Sequence, residues 1–118
     1  MWIDVLDEGR LPEGGREVVE VKGVPVLLIR HGGEIFAVGA RCPHMGAPLK
    51  RGQVTEEGYL VCPLHRSAFS LRTGDVAQWV PWPPGVGKVL GALRRERALP
   101  VYPVRVENGR ILIQMDAD

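Results

Sequence analysis

The sequence predicts an all-β chain built from antiparallel strands, and three observations point there. Val101-Tyr102-Pro103-Val104-Arg105-Val106-Glu107 alternates with period two, Asn108-Gly109 follows, and Arg110-Ile111-Leu112-Ile113-Gln114 returns. Asn-Gly between two such runs is the strongest short hairpin signal, because a two-residue type I′ turn needs positive φ at both central residues. Earlier in the chain, β-branched and aliphatic runs follow one another across glycine turns, at Gly23 and at His31-Gly32-Gly33-Glu34. Helical spacing of apolar residues is confined to one stretch, a short helix near 87–98, where Val89, Leu90 and Leu93 share a face and Pro100 stops it.

The length of 118 residues fits one domain, 1–118, large enough to bury a core without help from a metal. A formal net charge of +1 argues neither for nucleic acid nor for a membrane surface. The start, Met1-Trp2-Ile3-Asp4-Val5-Leu6-Asp7-Glu8, is acidic and is not read as a secretory signal, so a reducing, cytoplasmic setting is expected for the two cysteines. The longest aliphatic stretch, Val24 to Ile29, is interrupted by Pro25 and is far too short to span a bilayer.

In order, Ile3, Val5 and Leu6 begin a first strand, and the glycine-rich loop from Glu8 to Gly15 follows. Glu17 to Lys22 is the next strand. Val24 to Arg30 follows it, with Pro25 expected at the strand's start or on an edge, because it has no N–H for a ladder. Glu34 to Val38 then delivers the chain to Cys42. Gly52-Gln53-Val54 and Gly58-Tyr59-Leu60-Val61 read as two short strands about the turn Thr55-Glu56-Glu57-Gly58, and Ala68-Phe69-Ser70-Leu71 as another, ending at Arg72-Thr73-Gly74-Asp75. Trp79-Val80-Pro81-Trp82-Pro83-Pro84-Gly85 is too rich in proline for a helix or a central strand.

The chemistry sits in Cys42-Pro43-His44 and Cys62-Pro63-Leu64-His65, which hold both cysteines of the chain. Two thiolates and two imidazoles suit a tetrahedral Zn²⁺ or a [2Fe–2S] cluster in which histidines replace cysteines on one iron. Repetition of Cys-Pro before a histidine implies two similar loops closing on one object. His31, the third histidine, stands among turn glycines and reads as a solvated turn residue rather than a ligand.

At these residues the sequence resembles the Rieske family. The match runs through Cys42-Pro43-His44-Met45-Gly46-Ala47-Pro48-Leu49 and from Cys62-Pro63-Leu64-His65 to Thr73-Gly74, with Gly52, Phe69 and Pro83-Pro84 in family positions. It covers residues 1–80 and 99–115, and 85–98 reads as a local addition. The resemblance implies the Rieske fold, an antiparallel β sandwich or barrel base with a small cluster-binding subdomain at about 40–77, and a proline-containing cover at 79–85. It implies one [2Fe–2S] cluster, with Cys42 and Cys62 on an inner iron and His44 and His65 on an outer, exposed one. High-potential members carry a second cysteine pair, and a serine and a tyrosine that reach the cluster sulfurs. Here Ala47 and Leu64 stand in place of that pair, Ser67 is the candidate for the serine, and Phe69 replaces the tyrosine. These departures point to the low end of the Rieske range, on the order of −150 mV.

The resemblance therefore implies a soluble Rieske-type ferredoxin, an electron carrier between a reductase and an oxygenase and not itself an enzyme. A small iron–sulfur subunit of a nitrite reductase, or of another oxidoreductase complex, is the alternative. A structural zinc module shares the ligands but leaves the flanking residues unexplained. A Rieske oxygenase needs a further iron held by two histidines and a carboxylate, and His31 alone is left over. Arg41, Lys50, Arg51 and Arg66 lie beside or between the ligand loops, and a basic rim is expected there.

Overall fold

The strand Val24–His31 (β3) shows how the chain is layered, because its two sides enter two different cores. In the computed structural model, which describes residues 1–43, 46–63, 66–78 and 98–115, Val26 and Leu28 enter one buried cluster, and Leu27 and Ile29 the other. Side chains alternate across a strand, so a strand buried on both faces reads as a continuous apolar run rather than an alternating one. That accounts for Val26-Leu27-Leu28-Ile29.

Among the described residues, eleven strands form three antiparallel sheets. Trp2–Asp7 (β1), Arg110–Gln114 (β11) and Val104–Glu107 (β10) make the first, in the order β1-β11-β10. Arg16–Val21 (β2), β3, Glu34–Gly39 (β4) and Val101–Tyr102 (β9) make the second, in chain order. Gln53–Val54 (β5), Tyr59–Val61 (β6), Ala68–Ser70 (β7) and Val76–Gln78 (β8) make the third. The second sheet is the middle layer. Leu6, Ile111 and Ile113 of the first sheet meet Val21, Val26, Leu28 and Ala37 across one core. Leu60 and Phe69 of the third sheet, with Leu49, Leu71 and Leu99, meet Leu27, Ile29 and Val38 across the other. The first two sheets are thus an open sandwich, and no closed barrel occurs among the described residues.

Three two-residue turns carry positive φ at both central positions: Lys22-Gly23 (53° and 79°), Gly32-Gly33 (63° and 79°) and Asn108-Gly109 (51° and 76°). They fix the β2–β3, β3–β4 and β10–β11 registers. Pro25 is the second residue of β3, as the sequence requires. In β1 the register slips between Asp4 and Leu6, so Ile3 and Leu6, three residues apart, both join the core between the first and second sheets. The run 101–107 is not one strand. It divides at Pro103, with β9 pairing to β4 in the middle sheet and β10 to β11 in the first. Pro103 lacks an N–H, but its carbonyl accepts from Gln114 N–H at 3.0 Å.

The helix expected near 87–98 and the cover expected at 79–85 lie outside the described residues, except that Ala98 is in irregular backbone. Among the described residues no helix is long and apolar enough to cross a membrane.

Candidate metal centre

The two ligand loops leave the layered body at matching points. The first follows β4, and the second follows β6. In the first, the Cys42 N–H donates to the Ala47 carbonyl at 2.8 Å, and the Gly46 N–H donates back to the Cys42 carbonyl at 2.7 Å. In the second, the Cys62 N–H donates to the Ser67 carbonyl at 2.8 Å, and the Arg66 N–H donates to the Cys62 carbonyl at 2.9 Å. Each cysteine is followed by a proline, which presets the turn and presents no N–H to be left unpaired. Each loop closes through a residue of positive φ, Gly46 at 75° and Arg66 at 64°. The described ends of the loops are therefore alike in backbone: Cys42 corresponds to Cys62, Gly46 to Arg66, and Ala47 to Ser67.

Cys42 and Cys62 are 2% and 1% exposed and belong to the same apolar cluster, with Leu49, Leu60 and Phe69. No disulfide is formed among the described residues. Two thiols brought together in a low-dielectric wall suit a metal centre, since coordination keeps them as thiolates where burial alone opposes charge. His44 and His65 lie outside the described residues, and among those described no group of three or more His, Cys, Asp or Glu could hold a metal ion. Ser67 and Phe69 are completely buried, Phe69 inside the same cluster as both cysteines. His31 ends β3 on the side of the Gly32-Gly33 turn, half-buried, its Nε2 3.5 Å from the Glu56 carbonyl.

Long-range contacts that no sequence motif announces tie the loops to the body. Arg16 of β2 donates to the carbonyls of Lys50, at 3.0 Å, and Gly52. The Arg72 guanidinium meets the Glu34 carboxylate in a fork at 2.8 and 2.9 Å and lies 5.5 Å from the Phe36 ring centre. That hydrogen bond holds the Glu34 carboxyl below the usual glutamate range. Gly74, at φ 79°, passes so close to Leu99 that a Cβ would collide with the Leu99 carbonyl, while the Leu99 N–H donates to the Gly74 carbonyl at 2.9 Å. Sequence separations of 34 to 38 residues for the arginine contacts leave no local pattern to read.

The model of the Rieske [2Fe–2S] domain family matches residues 1–103. The chain belongs to that family. Among relatives of this Rieske chain, the protein named alkene monooxygenase system, ferredoxin component, of Xanthobacter autotrophicus is 31% identical over 112 residues, 95% of this chain and 80% of that one. The 3-phenylpropionate/cinnamic acid dioxygenase ferredoxin subunit of Photorhabdus laumondii is 34% identical over 108 residues, 92% of this chain and 89% of that one. The solved ferredoxin of carbazole 1,9a-dioxygenase from Nocardioides aromaticivorans superposes with a TM-score of 0.75 at 25% identity, covering 96% of each chain. Membership implies a [2Fe–2S] cluster, and the paired buried thiols on twin Rieske loops fit that group.

Proposed function

We propose that residues 1–118 form one Rieske-type ferredoxin domain that carries single electrons between a reductase and a terminal oxygenase in the cytoplasm. One cluster would be held by Cys42 and Cys62 on one iron and by His44 and His65 on the other. The carrying observation is the matching pair of hydrogen bonds at the described ends of the two loops, with Cys42 and Cys62 in one apolar cluster. Similar length and coverage in relatives named as ferredoxin components support the carrier role over that of a catalyst.

When bound, the group supplies one-electron redox chemistry, at a potential raised over an all-cysteine cluster because imidazole is neutral where thiolate is anionic. The chain's own part is to hold the thiols, exclude water and fix the loops. Phe69, Leu49 and Leu60 surround the cysteines with hydrocarbon, and Arg16 and the Glu34–Arg72 pair anchor the subdomain at about 40–77 to the middle sheet.

Metal and sulfide analysis tests this reading. Protein produced with adequate iron should contain two irons and two acid-labile sulfides per chain, as the family's cluster requires, and should give an EPR signal when reduced. Stoichiometric zinc without labile sulfide would overturn it.

A further inference from the structure

We propose that the rim of the two ligand loops is a basic docking face for a carboxylate-lined surface of a partner redox protein. This rests on the carrier reading and adds the chemistry of the partner.

Arg41, Lys50, Arg51 and Arg66 are all exposed. They border the same two loops. Arg41 forms a bridge with Pro48 and lies with Nη1 3.4 Å from the Gly46 carbonyl, closing over the first loop. Lys50 and Arg51 immediately precede Gly52, which lies against Val61, the residue before Cys62. Arg66 closes the second loop. Residues 35–55 and 58–74 contain no Asp or Glu at all, so no acid of these loops offsets the rim.

Most other arginines are held by the body of the fold. Arg10, Arg30, Arg72, Arg105 and Arg110 each face a carboxylate, and Arg16 is committed to backbone carbonyls. Arg41, Lys50 and Arg51 form no ion pair among the described residues. The acidic side chains of the N-terminal part are partly consumed by the body's own arginines. Among the described residues charge is therefore separated, although the net charge of the chain is only +1.

Arg66 adds a second, independent observation. It occupies the left-handed backbone position that Gly46 fills in the twin loop. Glycine takes that conformation freely, whereas a side chain takes it at a cost. An arginine kept in a costly conformation at the mouth of a metal centre is what a recognition residue looks like.

A basic rim concentrates acidic partners and raises the encounter rate, and salt removes the effect beyond a Debye length. Two small oxidants of opposite charge read the local field directly. Reduced protein would be mixed in stopped flow with ferricyanide, a trianion, or tris(phenanthroline)cobalt(III), a trication, each accepting one electron. The ferricyanide rate should fall as salt rises, and the cobalt rate should rise. The double change Arg41→Glu and Arg66→Glu should lower the low-salt ferricyanide rate by roughly tenfold. An equal charge change made outside the ligand loops, Arg10→Glu with Arg105→Glu, each paired in the parent with a glutamate, should alter it little. Calorimetric titration with polyglutamate should show binding by the parent protein that the double variant loses.

Salt-insensitive rates with both oxidants, or equal effects from the rim variant and the variant at Arg10 and Arg105, would overturn the docking face. A protein without iron or sulfide would instead defeat the carrier reading, and the polyglutamate titration would still decide the rim.

Discussion

Gly52 is the position where one methyl group should do the most damage for a stated reason. It sits between the two ligand loops. A Cβ there would overlap the Val61 carbonyl, lie 3.1 Å from Leu60 Cδ1 and lie 3.2 Å from the Leu49 carbonyl. Two of the three obstacles are backbone, so relief requires lifting residues 49–52 off β6. That movement strains the Arg16 bond to the Gly52 carbonyl. Overpacking of this kind costs about 1–3 kcal/mol, and a weakened hydrogen bond adds about 1 kcal/mol. Reduced freedom of the unfolded chain returns about 0.4–1 kcal/mol. Gly52→Ala should therefore destabilise by about 2–3 kcal/mol, a fall in Tm on the order of 10 °C for a chain of this size. Because Val61 leads directly into Cys62, iron content at purification should fall as well.

The assay is thermal unfolding of the loaded protein, followed by far-UV circular dichroism and by visible absorbance. Gly109→Ala is the control: nothing lies within 4 Å of its Cβ, but φ is 76°, so only conformational strain of about 1–2 kcal/mol applies. A Gly52→Ala protein that melts at or above the Gly109→Ala protein, with full iron content, would refute the steric argument.

Three further outcomes are expected. Arg66→Gly should keep the left-handed conformation that Gly46 shows in the twin loop while slowing the low-salt reaction with ferricyanide; an unchanged rate would contradict it. Phe69→Tyr, at a buried position in the cluster that holds both cysteines, should raise the potential measured by protein-film voltammetry if its hydroxyl donates to a cluster sulfur, and an unchanged potential in a folded variant would count against that role. Glu13, whose carboxylate accepts the Gly33 and Gly32 N–H groups at 2.8 and 2.7 Å, and Glu34, bound by Arg72, are both held below the ordinary glutamate range. A depressed carboxyl contributes stability that is complete above about pH 4.3 and is lost as pH falls through the lowered value. Denaturant titrations across that window should show a shallower acid loss for Glu13→Gln than for the parent, and parallel curves would show that the turn contributes nothing.

Much of the strand pattern was legible because it is local. Gly32-Gly33 and Asn108-Gly109 announce their hairpins by the φ values they permit, and Cys-Pro before histidine announces twin loops by repetition. What was not legible depends on distance. Nothing in 101–107 says that Pro103 hands the chain from one sheet to another, because that follows from β4 and β11 each claiming one half. Arg16 has no signature among neighbouring arginines, and its role exists only once Lys50 and Gly52 fold against it. The loop equivalence was half visible. The histidines are offset by one residue, His44 against His65, which hides the pairing of Gly46 with Arg66 until the hydrogen bonds are seen.

β3 serves two cores, and this shapes how the chain can fold. The β2–β3–β4 unit is made of tight local hairpins, so it can form early. Until β11 and the third sheet arrive, Val26 and Leu28 are bare on one side and Leu27 and Ile29 on the other. An early meander with two adhesive faces can stack with its own copies, a reaction second order in concentration that competes with first-order completion of the fold. Pro25 at one end of the run, and Arg30 with His31 at the other, are the kind of residues that discourage such stacking. Yield on refolding should accordingly fall with protein concentration and recover on dilution.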